Sequence, residues 1–265
     1  MALNEKVIVV TASTRGIGRA IVEVCAEKGA TVYMAARNEE RALEEIEKLS
    51  QKGLQVKFVF NDASKPESYQ SMIDSVIEAE GKIDVLVNNF GTSNPRKDRD
   101  IEHTNVEDFL DCVDINLRSV FSASQAAIPY MKKQGGGSII NIASVGGIVP
   151  DISQISYGTS KAAIIHLSKM IAVQQARNNI RCNVVAPGMI GTDAVKRNLS
   201  DEFQGMFMKH TPIKRMGQPE EIAHAVAYFA SDESAYATGQ VLTVSGGFGL
   251  ASPIFGDLSD SLTSR

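Results

Sequence analysis

Short runs of β-branched and apolar residues alternate with longer segments of helical periodicity along the whole chain, and this alternation does most to narrow the folds open to it. The runs are Lys6–Val10, Thr31–Ala35, Gln55–Phe60, Ile83–Val87, Ser138–Ile142, Ile180–Val185 and Val241–Val244. Helical patterns fall at about 16–28, 39–52, 67–80, 106–133, 155–177 and 219–230, with Pro66 and Pro219 at first-turn positions. Strands that are apolar on both faces need helices over both faces. The pattern therefore predicts an α/β, Rossmann-like, doubly wound parallel sheet of about seven strands. No repeat, low-complexity tract or Pro/Ser-rich linker divides the 265 residues, so one domain spanning 1–265 is expected.

With 43% hydrophobic and 22% charged residues the chain has ample core material, and disorder is excluded. A formal charge of −4 supplies no basic stripe, which argues against nucleic acid and against an anionic membrane surface. No run approaches the roughly 18 apolar residues that span a bilayer, and MALNEKVIVVTAS reads as a first strand without a leader. Cys25, Cys112 and Cys182 lie far apart in apolar stretches and read as thiols in a reducing cytoplasm. His103, His166, His210 and His224 show no metal-ligand spacing, so no metal is expected. Segments 106–133 and 155–177 carry apolar residues on more than one face, among them Phe121, Met170 and Val173, which predicts contact with another subunit in a dimer or tetramer.

The first strand runs into Thr11-Ala12-Ser13-Thr14-Arg15-Gly16-Ile17-Gly18 and then a helix. Glycines there let the backbone approach a pyrophosphate, and the helix N-terminus offers free N–H groups and positive dipole. The second strand ends Ala35-Ala36-Arg37 with no acid to hold a ribose 2′-hydroxyl. Arg37 and Arg15 instead supply guanidinium groups for a 2′-phosphate, which points to NADP.

After the fifth strand come Ser144 and, thirteen residues on, Tyr157-Gly158-Thr159-Ser160-Lys161. Tyr157 and Lys161 at i and i+4 share a helix face, so the ammonium is expected to lower the phenol's pKa from about 10 toward the working range.

The chain resembles the classical short-chain dehydrogenases/reductases over essentially its whole length. The motifs that carry the likeness stand in family order: the turn 11–18, Asp62, Asn88-Asn89-Phe90-Gly91, Asn116, Ser144, Tyr157-x-x-x-Lys161, and Pro187-Gly188-x-Ile190-x-Thr192. The resemblance implies Tyr157 as general acid or base, Ser144 on the reacting oxygen, Lys161 on the nicotinamide ribose, and Asn116 holding a relay water. It also implies a cofactor site from Thr11, Ser13, Thr14, Arg15, Gly16, Ile17, Gly18, Arg37, Asp62, Ala63, Asn89, Gly91, Tyr157, Lys161, Pro187, Gly188, Ile190 and Thr192, with Asp62 facing the adenine and Ile190 and Thr192 at the carboxamide. Two positions depart from the pattern. Ala12 replaces the usual first glycine and is expected to be tolerated with a negative φ, and Phe90 replaces an alanine.

A closer resemblance is to bacterial bile-acid hydroxysteroid dehydrogenases of clostridial type, through Pro150-Asp151-Ile152-Ser153 and the extension from Gly246 onward. It implies a secondary alcohol and ketone couple at the 7α or 12α position of a bile acid. A lid at about 190–215 and the extension 248–265 would cover that substrate, through Ala194, Val195, Leu199, Phe203, Met206, Phe207 and Met208, with Phe248, Leu250, Ile254 and Phe255 closing the pocket. Arg96, Lys97 and Arg99 are candidates for steering its anionic tail. The alternatives are a 3-oxoacyl-acyl-carrier-protein reductase or other ketone reductase and, outside enzymes, a cofactor-binding regulator. The intact Asn116, Ser144, Tyr157 and Lys161 argue against the last.

Charge-assisted hydrogen bonds contribute roughly 1.5–3 kcal/mol each, or about ten- to a hundredfold in affinity. Arg37→Asp is therefore expected to lower NADP(H) affinity by at least tenfold and to shift preference toward NAD(H), checked by parallel kcat/KM measurements with both cofactors.

Overall fold

The computed structural model describes residues 2–252 and 254–263. Its elements are β1 (Val7–Thr11), α1 (Gly16–Glu27), β2 (Thr31–Ala36), α2 (Glu39–Ser50), β3 (Val56–Phe60), α3 (Glu67–Glu80), β4 (Val85–Asn88), α4 (Val106–Lys133), β5 (Gly137–Ile142), α5 (Ile155–Gln175), β6 (Ile180–Pro187), α6 (Asp193–Asn198), α7 (Asp201–Lys209), α8 (Pro219–Ala230), β7 (Val241–Val244) and α9 (Phe255–Thr263). The strands form one parallel sheet in the order β3-β2-β1-β4-β5-β6-β7. Among the described residues no helix is long and apolar enough to cross a membrane.

Period-two alternation sends side chains of each strand to two separate cores. On β1, Ile8 and Val10 join Ile21, Met34, Leu49, Ile222 and Val226 beneath α1, α2 and α8. Val7 and Val9 join Tyr69, Met72, Ile73, Ala127 and Met131 beneath α3, α4 and α5. Strand order reverses between β1 and β4, and the crevice at their carboxyl ends is where open α/β sheets bind ligands.

Several boundaries differ from the sequence reading. The fourth strand starts at Val85 rather than Ile83, because the Gln134 side chain takes both main-chain bonds of Ile83, accepting from its N–H at 3.2 Å and donating to its carbonyl at 2.7 Å. The sixth runs on to Pro187 because Ala186 and Pro187 still pair with Thr243 and Val244. Within the extension, Phe255–Thr263 forms α9, a helix the sequence reading did not draw.

Ala12 also departs from expectation, with a φ of +52° rather than a negative value. The left-handed region costs an L-residue with a Cβ about 1–2 kcal/mol, whereas glycine adopts it freely. Since glycine loses about 0.5–1 kcal/mol of extra chain entropy on folding, Ala12→Gly is expected to stabilise the cofactor-free protein by roughly 0.5–1 kcal/mol. Equilibrium urea unfolding of the two proteins measures this.

Candidate active site

The crevice begins as a turn held from behind. Thr11 Oγ1 accepts from the N–H groups of Asn89 at 2.9 Å and Phe90 at 3.2 Å. Asn89 Nδ2 donates to the carbonyls of Thr11 and Ala12, each at 3.0 Å. The Ser13 hydroxyl donates to Val10 O at 2.7 Å. Thr11 and Ser13 are thus buried props of the turn, with their side chains turned to the protein. A Cβ on Gly18 would come within 2.5 Å of Asn89 Nδ2 and 2.7 Å of Ala12 O, so only glycine fits. No side chain caps α1, and its first turn holds no acid, which leaves its N–H groups to an anion.

These groups face a cavity of about 600 Å³ whose wall includes Thr14, Arg15, Ile17, Arg37, Asp62 and Gly91. Arg41 lies on the same wall and was missed in the sequence, where it stood merely as the next arginine after Arg37. Asp62 is held below the ordinary aspartate range, first by the Ser64 N–H, then by the Ser64 hydroxyl, with Arg37 and Lys65 adding charge. Ala63 lines the cavity beside it. A cationic wall, an uncapped helix start and a glycine cradle fit a dinucleotide bearing several anionic groups.

Across the crevice, β5 delivers Ser144, and α5 brings Tyr157 and Lys161 one turn apart. The Ser144 hydroxyl accepts from Gly146 N at 3.1 Å and, beside the phenol, favours its ionised form. Lys161 is buried, donates to Ile142 O at 3.0 Å, and sits 5.5 Å from the centre of the Tyr157 ring. This corrects the expectation that the ammonium dominates the phenol. Burial instead holds Tyr157 above its ordinary range, offset in part by the Ser144 hydroxyl. Burial also pushes Lys161 down to about 8.

Asn116 is fully buried, accepts from Thr92 N at 2.8 Å, and donates to Thr92 O at 2.9 Å and Ser160 Oγ at 3.0 Å. Gly91 passes so close to Lys161 that a Cβ would lie 2.7 Å from its Nζ. Farther on, Pro187 pairs with Val244, Gly188 N donates to Val244 O at 3.0 Å, and Ile190 bridges to Gly217. Thr192 caps α6, accepting from Val195 N at 3.3 Å, and its methyl packs over Gly16. The segment after β6 therefore closes over the glycine turn.

Beside Ser144 lies a second cavity, of about 550 Å³, lined among others by Val145, Val149, Met189, Ile213, Phe248 and Leu250. The lid side chains expected to form its roof do not line it. Phe203 and Met206 are exposed, Val195 and Leu199 are half-buried, and the Ala194 side chain is outside the described residues. Phe207 stacks on Phe248 with ring centres 4.1 Å apart, and Lys209 pairs with Asp257 at 2.7 Å, so α7 meets the C-terminal extension of its own chain. Ile254 is exposed, and Phe255 lies 4.9 Å beneath Lys214 Nζ. Of the three candidate cations on the loop 92–105, Lys97 is paired with Asp108 at 2.8 Å, while Arg96 and Arg99 are exposed.

Residues 11–249 match the family model described as enoyl-(acyl carrier protein) reductase. A 7alpha-hydroxysteroid dehydrogenase of Clostridium sardiniense is 49% identical over 255 residues, covering 96% of this chain and 97% of the relative. A 3-oxoacyl-acyl-carrier-protein reductase of Chlamydia muridarum is 38% identical, over 92% of this chain and 98% of its own. A solved 7 alpha-hydroxysteroid dehydrogenase complexed with NADH and 7-oxo glycochenodeoxycholic acid superposes with a TM-score of 0.88 at 35% identity, covering 93% of this chain and 95% of that one. Fold and site together define an oxidoreductase that acts on a hydroxyl or ketone carbon with a nicotinamide cofactor. The chain belongs to the short-chain dehydrogenase/reductase family.

The buried lysine makes a pH prediction. Its pKa is about 8 when folded, against an ordinary 10.5, so above pH 8 the unfolded chain binds more protons than the folded one. The contribution of Lys161 to stability is thus least favourable below pH 8 and improves as pH rises toward 10.5. Urea unfolding of cofactor-free protein at pH 7 and pH 10 is expected to show wild type gaining stability relative to Lys161→Met across that window.

Proposed function

We propose that this protein is an NADP(H)-dependent 7α-hydroxysteroid dehydrogenase, interconverting the 7α-hydroxyl and the 7-ketone of a bile acid. The observation that carries the reading is the 49% identity, over nearly the full length of both chains, to a relative of that name. The 3-oxoacyl-acyl-carrier-protein reductase reading is the weaker one, since that relative stands at 38%. Two features of this chain support the choice. The cavity beside Ser144 is walled largely by Val145, Val149, Met189, Ile213 and Leu250, apolar side chains of the kind a steroid buries. Its far wall is the Gly246–Leu250 segment that leads into the extension.

When bound, the nicotinamide ring would supply or accept the hydride. The chain's own groups then handle the proton. Tyr157 takes it from the alcohol oxygen or returns it to the ketone oxygen, and Ser144 donates a hydrogen bond to that oxygen. Lys161 would turn from Ile142 O toward the ribose and strengthen the phenolate by its charge. Both amide hydrogens of Asn116 are spent on Thr92 O and Ser160 Oγ, so a relay water there must donate to an Asn116 oxygen.

Arg15 and Arg37, joined by Arg41, would hold the 2′-phosphate. Asp62 and Ala63 would lie along the adenine, Asn89, Gly91, Pro187 and Gly188 along the nicotinamide half, and Ile190 with Thr192 at the carboxamide. Exposed Phe121, Met170 and Val173 on α4 and α5 support a homo-oligomer, dimer or tetramer. Three free cysteines, two of them buried, support a cytoplasmic setting.

The test compares kcat/KM for cholate, chenodeoxycholate and deoxycholate with NADP+ against an acetoacetyl thioester with NADPH. Cholate and chenodeoxycholate are expected to turn over and deoxycholate, which lacks the 7-hydroxyl, is not. Tyr157→Phe is expected to lose at least about 10²-fold, the usual contribution of a general acid–base group. Efficient thioester reduction without bile-acid turnover would overturn the reading.

A further inference from the structure

Helix α5 begins without help from its own flank. Gln154, just before it, is left-handed at φ +58°, and no side chain of its N-cap accepts from the first turn. Asp151 and Ser153 stand close by in sequence, yet the Asp151 carboxylate accepts from Ile152 N instead. The acceptors come from a loop more than fifty residues earlier. Ile155 N donates to Arg99 O at 3.1 Å, Ser156 N to Asp98 Oδ1 at 2.8 Å, and Tyr157 N to Asp98 Oδ2 at 3.0 Å.

Asp98 is only 4% exposed, so each carboxylate oxygen is held in a fixed place. The Ser93 hydroxyl also donates to it, at 3.5 Å, and the Asp98 N–H donates to Asn94 O at 2.8 Å. The start of the same helix also presses on the loop after Ser144: a Cβ on Gly158 would lie 3.0 Å from Gly146 O, and one on Gly147 would lie 2.7 Å from Ala162 N. The turn carrying the phenol is thus held by Asp98 and packed against the serine loop. At its other end the Asp98 loop is clamped to Asn116 through both main-chain groups of Thr92.

We propose that Asp98 is a positioning residue for the reaction: its two-oxygen clamp on the amides of Ser156 and Tyr157 sets where the phenol stands relative to Ser144 and the reacting carbon. A cap serving stability alone needs one acceptor from any nearby residue. Two bonds to adjacent amides, one of them on Tyr157 itself, fix both the rotation and the advance of the turn. A displacement of about 1 Å in a reacting group costs on the order of a hundredfold in rate.

This inference rests on Tyr157 being the acid–base group, and the experiment separates the two. Asp98→Asn keeps the shape but places an amide donor against an N–H, and Asp98→Ser leaves one acceptor. Each is made in wild type and in Tyr157→Phe, with chenodeoxycholate and NADP+ as substrates, NADPH affinity read by fluorescence, and melting temperature followed. Positioning predicts that kcat falls about ten- to a hundredfold while KM for the bile acid and NADPH affinity change little. It also predicts that the substitution lowers the residual rate of Tyr157→Phe by less than about twofold, because the two act as one unit. A lowered melting temperature with kcat of the folded enzyme retained would overturn the proposal. So would an equal fold-loss in both backgrounds. Should Asp98→Asn not fold, Asp98→Ser carries the same comparison. Full activity in Tyr157→Phe alone would instead overturn the catalytic reading on which the proposal stands.

Discussion

The crevice of this protein is organised around the parallel pairing of β1 with β4, Ile8 against Val85, Val9 against Leu86 and Val10 against Val87. That register brings Thr11 level with Asn88 and Asn89, and their mutual hydrogen bonds shape the glycine turn. Parallel strands also send all their C-terminal loops to one edge of the sheet. The arginines after β1 and β2, the Asp62 loop, Ser144 and the segment after β6 therefore converge without any local signal telling them to.

A polar thread crosses the same edge inside the sheet. Asn88 donates to Asn141 at 2.8 Å, and Asn141 donates to Ser168 at 2.8 Å, joining β4, β5 and α5 below the tyrosine. The donors of this thread are paired while Asn88 Oδ1 has no hydrogen-bond partner among the described residues, and the bonds that are made favour one placement of α5 against the sheet. Lys161, on the same helix, is the costly member. Its lowered pKa is the mark of a cation taken from water for the sake of the site, offset in part by Ile142 O. Asp98 is the opposite case, a buried anion placed where the helix start offers two N–H groups and a positive dipole.

The surroundings of the second cavity are built differently, from pieces that follow the last strands. The stacked pair Phe207 and Phe248 and the ion pair of Lys209 with Asp257 tie α7 to the extension, so that neither is positioned by the sheet alone. The second cavity is correspondingly walled by the loop after β5, the strand ends, Ile213 and Leu250 rather than by the apolar side chains of α7.

By itself the sequence determined the fold class and the chemistry. Apolar runs such as Val7–Val10 and Val85–Val87 have to be covered on both faces, and covalent spacing alone puts Tyr157 one helical turn from Lys161. The glycine turn and the basic ends of two strands were equally legible, because they are local. What the sequence left open depends on contacts between distant segments. Ile83 leaves its strand because Gln134 takes its hydrogen bonds, and Ala12 adopts a positive φ within a turn whose carbonyls Asn89 holds. Arg41 joins Arg37 only once α2 begins at Glu39, and Asp98 reaches the amide of Tyr157 only through the fold. The ionisation of Tyr157 and Lys161 likewise was decided by tertiary structure, since desolvation depends on everything packed around a group and not on its neighbours along the chain.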